Sequence, residues 1–326
     1  MANYSPASVT TATTSLTHLA SVWYDKVAVE NLKANLPFLA ATERKVLPQR
    51  SGKTIQIFGY QVFGPNTVPG TEGTVGSGIA PTTATAQTVL NQYFDYMSFS
   101  DILIETAIDP IVENAAREMG YRAALTVNSL TASAFEAATV TATNIDLGDN
   151  EFFSAATARQ AVMSLRGVNA KPKSDGMFYG IIHPFVAFDL INDNTSGGVI
   201  DMLKHVQSGV DELMRGVQGY RVIELSGVRY IETTTVPTYA NYPSSGKTGY
   251  ATYVVGQDAL FTVSLGATAI PDQNNFNLIT RTWDPSVSDP ANVIGASIAY
   301  NFKYAAVPRP NAVPTFRRVR SESSIS

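Results

Sequence analysis

The sequence predicts an α+β fold, and three kinds of stretch predict it. Residues 108–138 repeat apolar side chains at helical spacing. Residues 54–58 alternate apolar and polar side chains, as a two-faced strand does. From Gly219 onward, short strand-like runs alternate with turns.

Met1 to Tyr24 carries no Asp, Glu, Lys or Arg and is rich in Thr, Ala and Ser, so its start reads as an extended or disordered arm. Leu19, Val22, Trp23, Val27 and Leu32 give Ser15–Asn35 an apolar side. A helix is expected there, stopped by Pro37, with Phe38 and Leu39 as a docking point. A different region opens at Leu47–Pro48. Its first strand spans Thr54 to Phe58, and Thr85 to Phe94 reads as the returning strand. Gly59–Leu90 holds a single charged residue, Glu72, among many Gly, Pro and Thr residues. Loops of that length inside domains are uncommon and usually functional. Two shapes fit: a protruding two-stranded arm based near Arg50 and Phe94, or an ordinary surface hairpin with a loose tip.

Met97–Glu105 leads into the long helix. Asp109 is placed to cap it, and Pro110 fits the first turn, where its missing N–H is harmless. Ile111, Ala115, Met119, Ala123, Val127, Leu130 and Ala134 recur at steps of three or four, which puts them on one face. Asn114, Arg117, Glu118, Arg122 and Asn128 lie opposite. At 1.5 Å per residue the element is about 40 Å long.

Asn144–Glu151 reads as a polar turn. Phe152–Gly167 is a second helix, with Phe153, Ala156, Ala161 and Leu165 inward. Met177–Ile182 is a buried strand ending at His183–Pro184, and Phe185–Ile191 is one or two helical turns. Asn192–Gly198 has the composition of a mobile polar loop, and Val199–Val206 reads as helix. Gly219–Leu225 and Gly227–Thr233 form strands around a Ser-Gly turn. Pro237–Gly249 is a loop, and Ala251–Gly256 an apolar strand. Ala259–Leu265 is expected to include a short helix before a strand. Strands return from Asn275, with Asn292–Tyr304 and Ala305–Val307 rejoining the first sheet. Arg309, Arg317, Arg318 and Arg320 make a basic tail, either a solvated end or a contact with nucleic acid or a neighbouring subunit.

Composition narrows the function. The 326 residues suffice for two or three domains. With no cysteine, disulfides and thiolate chemistry are excluded. His18, His183 and His205 are far apart in sequence. The start has no basic region followed by an apolar one, and no run reaches membrane-spanning length, so neither a signal peptide nor a membrane partner is expected. A net charge of −4 with 15% charged residues argues against a basic nucleic-acid surface. It fits a chain that buries surface against copies of itself, because interface cores are depleted in charge.

Catalytic motifs do not form. Ser51–Gly52–Lys53–Thr54 resembles the end of a phosphate loop, but Leu47 stands where the first glycine is needed and a strand follows instead of a helix. Ser245–Gly246–Lys247–Thr248 fails in the same way, with Asn241 in place of glycine. Gly70, Gly73, Gly76 and Gly78 follow a proline-rich loop, which is not the dinucleotide context. Asp146, Asp149 and Glu151 suit a helix-capping turn better than calcium. His183, at a strand end, reads as a hydrogen-bonded core-edge residue. No catalytic, cofactor-binding or metal residues are expected, and the chain is not expected to be an enzyme.

Leu47–Pro48, Gly52–Lys53–Thr54–Ile55, Thr71–Glu72–Gly73, Gln92–Tyr93, Phe99–Ser100–Asp101 and Asp109–Pro110 come in this order. Ile182–His183–Pro184, Arg215–Gly216, Val222–Ile223–Glu224, Gly256–Gln257–Asp258–Ala259 and Asp284–Pro285 follow. In order and spacing they resemble the major capsid proteins of tailed bacteriophages with the HK97-like fold, nearest to the group from N-four-like phages. The resemblance implies an N-terminal arm and short helix over 1–46 and an extended loop over 47–97 that reaches over a neighbour. It implies a peripheral domain over 98–179 with a spine helix at 108–138, and an axial domain over 180–265. Residues 266–326 would return to the peripheral domain and end in a tail. Implied too are self-assembly into hexameric and pentameric capsomers of an icosahedral head, with weak, non-specific contact to packaged double-stranded DNA. A scaffolding protein, a portal at one vertex and a decoration protein are the other implied partners. The implied location is the virion shell, and the host cytoplasm during assembly. The alternatives are an encapsulin-like compartment shell and another virion structural protein.

Overall fold

The computed structural model describes residues 36–48, 50, 52–60, 64–70, 72–73, 78–106, 111–138, 144–196, 198–200, 214–217, 220–244, 246–265, 277–282, 294–310 and 315–325. They belong to two compact units. The first includes Asn91–Val127 and Thr268–Tyr304, and the second comprises Pro37–Leu90, Asn128–Ala267 and Ala305–Ser326. The expected helix at 15–35 and the Asp109–Pro110 cap lie outside the described residues.

In the second unit the largest element is an eight-stranded sheet. Its order is β5 (Asn144–Asp146), β15 (Phe316–Glu322), β11 (Thr248–Val255), β6 (Phe178–Ile182), β9 (Val228–Glu232), β8 (Tyr220–Leu225), β7 (Met214–Val217), with β10 (Thr238–Ala240) also on β11. The near-continuous apolar run of β11 is what a strand covered on both faces requires. The two-residue side-chain period sorts neighbours into different cores. Ile182, Val254 and Val319 pack with Phe153, Leu165 and Tyr230, while Ile181, Tyr253 and Val255 pack with Phe38, Phe135 and Phe316. Ser226 and Gly227, with φ of 57° and 79°, close the β8–β9 hairpin in the left-handed geometry that suits strand twist.

Short capped helices sit beside the sheet strands in sequence. Pro37–Ala40 is α1. Pro37 begins this turn instead of merely stopping one before it, and Phe38 is fully buried. Ala155–Gly167 (the fourth helix, α4) is capped by Ser154, whose Oγ accepts from the Thr157 N–H at 3.3 Å. Its buried residues are Ala155, Thr157, Ala158, Ala161, Val162 and Leu165, so the expected inward Ala156 is instead exposed. The Asn192–Gly198 segment is tied down, not loose: buried Asp193 accepts from the Ala155 N–H at 2.9 Å and the Thr195 N–H at 3.1 Å. No helix precedes the strand at Ala259, because the Gln257–Asp258 turn leads straight into β12 (Leu260–Leu265). Of the expected 199–206 helix, only 199–200 are described.

Gly180 on β6 faces Tyr230 on β9 in parallel register. A Cβ at Gly180 would lie 2.2 Å from the Tyr230 ring, which is fully buried and has nowhere to retreat. Gly180→Ala is therefore expected to destabilise the chain by about 3 kcal/mol, the upper end for overpacking. A urea midpoint equal to that of the parent would refute this.

The first unit contains β4 (Asn91–Ser100), α2 (Asp101–Thr106) and the start of the long α3 (Ile111–Ala138). It also contains β13 (Asn277–Thr282) and most of β14 (Ile294–Pro308). β14 is antiparallel to both β4 and β13. The ladder irregularity at Ile294/Ala296 coincides with Gly295, where a Cβ would come 2.9 Å from the Asp101 backbone. The division between the units falls within α3, after Val127, and within β14, after Tyr304.

The buried positions of α3 follow a step of four: 115/116, 119/120, 123/124, 127/128, 131/132 and 135. At 3.6 residues per turn, each step of four advances the stripe by about 40°. The buried stripe therefore winds around the rod. This is why Asn128, expected on the polar face, is buried at 1% exposure. Asn114, Arg117, Glu118 and Arg122 are exposed as expected.

Candidate assembly surface

The second unit carries a separate two-stranded hairpin, β2 (Thr54–Tyr60) with β3 (Thr83–Val89), whose strands pair only with each other. Both strands alternate exposed and half-buried positions without a break. Ile55, Ile57 and Ala86 turn inward onto Leu47, Phe261, Val263, Ala305 and Val307. Those partners come from β1 (Glu43–Leu47), from β12, which runs parallel to it, and from the end of β14. The opposite face pairs Thr54 with Val89, Gln56 with Gln87, Phe58 with Thr85 and Tyr60 with Thr83. It holds no Asp, Glu, Lys or Arg, and Phe58 and Tyr60 are 64% and 70% exposed. The β3–β4 junction is one residue, Leu90, whose N–H donates to Lys53 O at 2.7 Å. The expected returning strand, 85–94, is thus two strands in different units.

In the first unit, a groove of about 330 Å³ lies on the three-stranded face. Phe94 and Tyr96 of β4 form one wall and Ile279 of β13 the other, over Ser297 and Ala299 of β14. The register sets Tyr96 and Ile279 on either side of Ala299. Asp95 alternates to the opposite side of β4 and pairs with Arg122 of α3 at 2.6 Å.

The basic tail is neither a solvated end nor a free cationic surface. β15 is an interior strand between β5 and β11. Arg317 and Arg318 are buried. Arg317 donates to Ser164 Oγ at 2.8 Å, and Arg320 forms a bidentate pair with Asp146, both contacts at 2.6 Å. Arg318 Nη1 reaches Glu136 Oε2 at 2.5 Å. Glu136 also accepts from the hydroxyls of Tyr239, at 2.7 Å, and Tyr253. Burial first, and then the Glu136 charge, push the Tyr253 phenol far above its ordinary range. The hub joins α3, β10, β11 and β15. Sequence spacing could not reveal it, since Arg318 lies 182 residues from Glu136.

The polar groups singled out in the sequence have structural partners. Thr54 and Thr248 each begin a strand, as the failed phosphate loops predicted. Lys247 bridges Asp149 at 2.6 Å and Glu322 at 2.8 Å. Asp146, Asp149 and Glu151 do not cap a helix: Asp146 and Asp149 hold Arg320 and Lys247, and Glu151 accepts from the Gly148 N–H at 2.7 Å. Among the described residues, no group of three or more His, Asp or Glu is arranged to hold a metal, and no helix is long and apolar enough to cross a membrane.

His183 caps the fifth helix, α5 (Pro184–Ile191): its Nδ1 accepts from the Phe185 N–H at 3.2 Å, and its ring stacks on Tyr250 with centroids 4.4 Å apart. Burial pushes the imidazole below its ordinary range. The unfolded chain therefore binds the proton more readily. Stability from this site is present above about pH 6.5 and declines as pH falls toward the lower folded-state value. Protonation also removes the capping lone pair. The drop in urea midpoint between pH 7.5 and 5.5 should shrink in His183→Asn, which caps without titrating. An equal drop in both proteins would reject the role.

No family model and no curated protein matches the chain. Among solved structures it is similar to the capsid of cyanophage P-SCSP1u, at 15% identity and a TM-score of 0.62, covering 87% of each chain. It is similar to the capsid of Ralstonia phage GP4, at 9% identity and a TM-score of 0.65, again over 87% of each chain. The holo-SrpI encapsulin complex from Synechococcus elongatus matches at 10% identity and a TM-score of 0.53, over 87% of each chain. At such identities the likeness is one of fold. The chain has a mixed α+β fold of the HK97-like type, the structural fold of these phage capsids and of this encapsulin.

Proposed function

We propose that the chain is the major capsid protein of a tailed bacteriophage. It builds hexamers and pentamers of an icosahedral head around double-stranded DNA, in a lineage nearest the N-four-like phages. The likeness to phage capsids across 87% of the chain carries this reading. The uncharged outer face of the hairpin supports it, because docking that face desolvates no formal charge. In this reading 47–97 is the extended loop laid over a neighbour, α3 is the spine of the peripheral domain, and 180–265 is the axial domain. Scaffolding, portal and decoration proteins are its other partners. Contact with packaged DNA is weak and non-specific, and it does not run through Arg317 or Arg318, which are used inside the subunit.

The second reading is an encapsulin shell, favoured by the equal coverage of the encapsulin match. Native particles captured through this chain and imaged by electron microscopy separate the two. Icosahedral particles with nuclease-protected double-stranded DNA are the expected result. Closed particles holding protein cargo and no DNA support the encapsulin. A native monomer overturns both.

A further inference from the structure

We propose that Asp175–Gly176 is a site of spontaneous aspartate isomerisation, and that Arg229 holds it closed in the folded chain. The inference stands apart from the shell reading.

The sequence singles out the pair. It is the one place in the chain where Asp or Asn precedes Gly. There the Gly main-chain nitrogen can attack the Asp side-chain carbonyl carbon, because no side chain on Gly shields the approach. A bond forms between Gly176 N and Asp175 Cγ. The carboxyl group gives up its OH and the Gly176 N–H its hydrogen, so one water leaves and a five-membered succinimide remains. Water then reopens the ring. Cleavage between Gly176 N and Cγ restores aspartate. Cleavage between Gly176 N and the Asp175 main-chain carbonyl leaves the chain running through Cγ, as isoaspartate. The water lost in closing the ring is regained in opening it, so no other reactant is needed.

The fold presents this pair at an exposed turn just before β6. Exposed turns are where a chain opens most readily by local fluctuation. In the closed turn the reacting groups are occupied. The Gly176 N–H donates to Lys173 O at 2.9 Å, which ties up the nucleophile. Asp175 Oδ1 accepts from the Met177 N–H at 3.3 Å, and Oδ2 accepts from Arg229 Nη1 at 3.0 Å. Arg229 is itself aimed. It pairs across the β8–β9 hairpin with Glu224, and its Nε donates to Glu224 Oε1 at 2.8 Å. The Lys173 and Met177 contacts lie within the turn and are lost together when it opens. Arg229 reaches in from another strand, so it is the restraint that resists opening.

The product has a structural consequence. Isoaspartate lengthens the main chain by one methylene ahead of Phe178, where β6 enters between β11 and β9. The Phe178 N–H, which donates to Gly227 O at 2.9 Å, lies directly downstream.

The test compares the full-length parent, Arg229→Gln and Leu165→Ala, each held for weeks at neutral pH. Leu165→Ala leaves a core cavity in the same unit and so controls for global loss of stability. Enzymatic methylation of isoaspartate gives the rate, and fragmentation of the tryptic peptide that begins at Ser174 gives the position. Isoaspartate at 175 should accumulate about threefold faster in Arg229→Gln than in the other two proteins, the scale of a partly exposed ion pair. Glu224→Gln, which keeps Arg229 but loosens its aim, is the second variant should Arg229→Gln fail to fold, and a smaller rise is expected from it. Equal rates in the parent and the folded variant, or a Leu165→Ala rate that matches it, overturn the role of Arg229. Absence of isoaspartate at 175 from the variant overturns the site itself.

Discussion

Met119→Asp is expected to yield no soluble native subunit. Met119 is fully buried on α3, in the winding stripe between Ala115/Ala116 and Ala123/Ala124. A carboxylate there either stays ionised without a partner or takes up a proton to become neutral. Both routes cost several kcal/mol, against a total stability of about 5–15 kcal/mol. Removal of the flexible thioether adds a packing loss. Met119→Leu conserves volume and should cost less than about 1.5 kcal/mol, so it separates the charge from the cavity. Glu72→Lys is the opposite control. Glu72 is exposed, so reversing its charge should leave the thermal midpoint unchanged and alter only particle yield. Soluble fraction and cooperative thermal unfolding decide the matter, and a native-like Met119→Asp subunit would overturn the placement of α3.

Glu136→Ala is the second large effect. It removes the acceptor shared by Arg318, Tyr239 and Tyr253. The Arg318 side chain is only 8% exposed, so its charge would be left buried with the 3.3 Å contact to Tyr239 as its remaining hydroxyl partner at the hub. Breaking a buried pair costs about 3–5 kcal/mol, and the partial exposure of Glu136 places this case near the lower figure. A fall in the urea midpoint at unchanged slope is the expected observation. Replacing both partners by Met should recover much of the loss, because no unpaired charge then remains. If Glu136→Ala unfolds like the parent, the hub contributes nothing to stability.

Several features could be read from the chain before its fold. The β2 alternation, the Ser226–Gly227 turn and the exposure of Arg117, Glu118 and Arg122 depend on residues a few positions apart. Propensity and period report on that scale. The misreadings have specific causes. A straight-stripe rule puts Asn128 on the polar face, whereas the buried stripe winds. Asp193 has loop composition, but its carboxylate caps α4 from 38 residues away. Arg317, Arg318 and Arg320 look like a basic tail in one dimension because their partners are Ser164, Glu136 and Asp146.

By itself the sequence determined the long helix, the β2 and β8–β9 strands, the uncharged loop between β2 and β3 and the absence of thiol chemistry, since these follow from local period and composition. Tertiary structure alone decided which apolar surfaces stay exposed. The groove is assembled from strands that meet only on folding, with Gln92 and Asn301 hydrogen-bonded across 209 residues. The same folding threads Arg317, Arg318 and Arg320 into a sheet between β5 and β11. Burial and pairing are properties of three-dimensional neighbours, and no spacing rule along the chain encodes them.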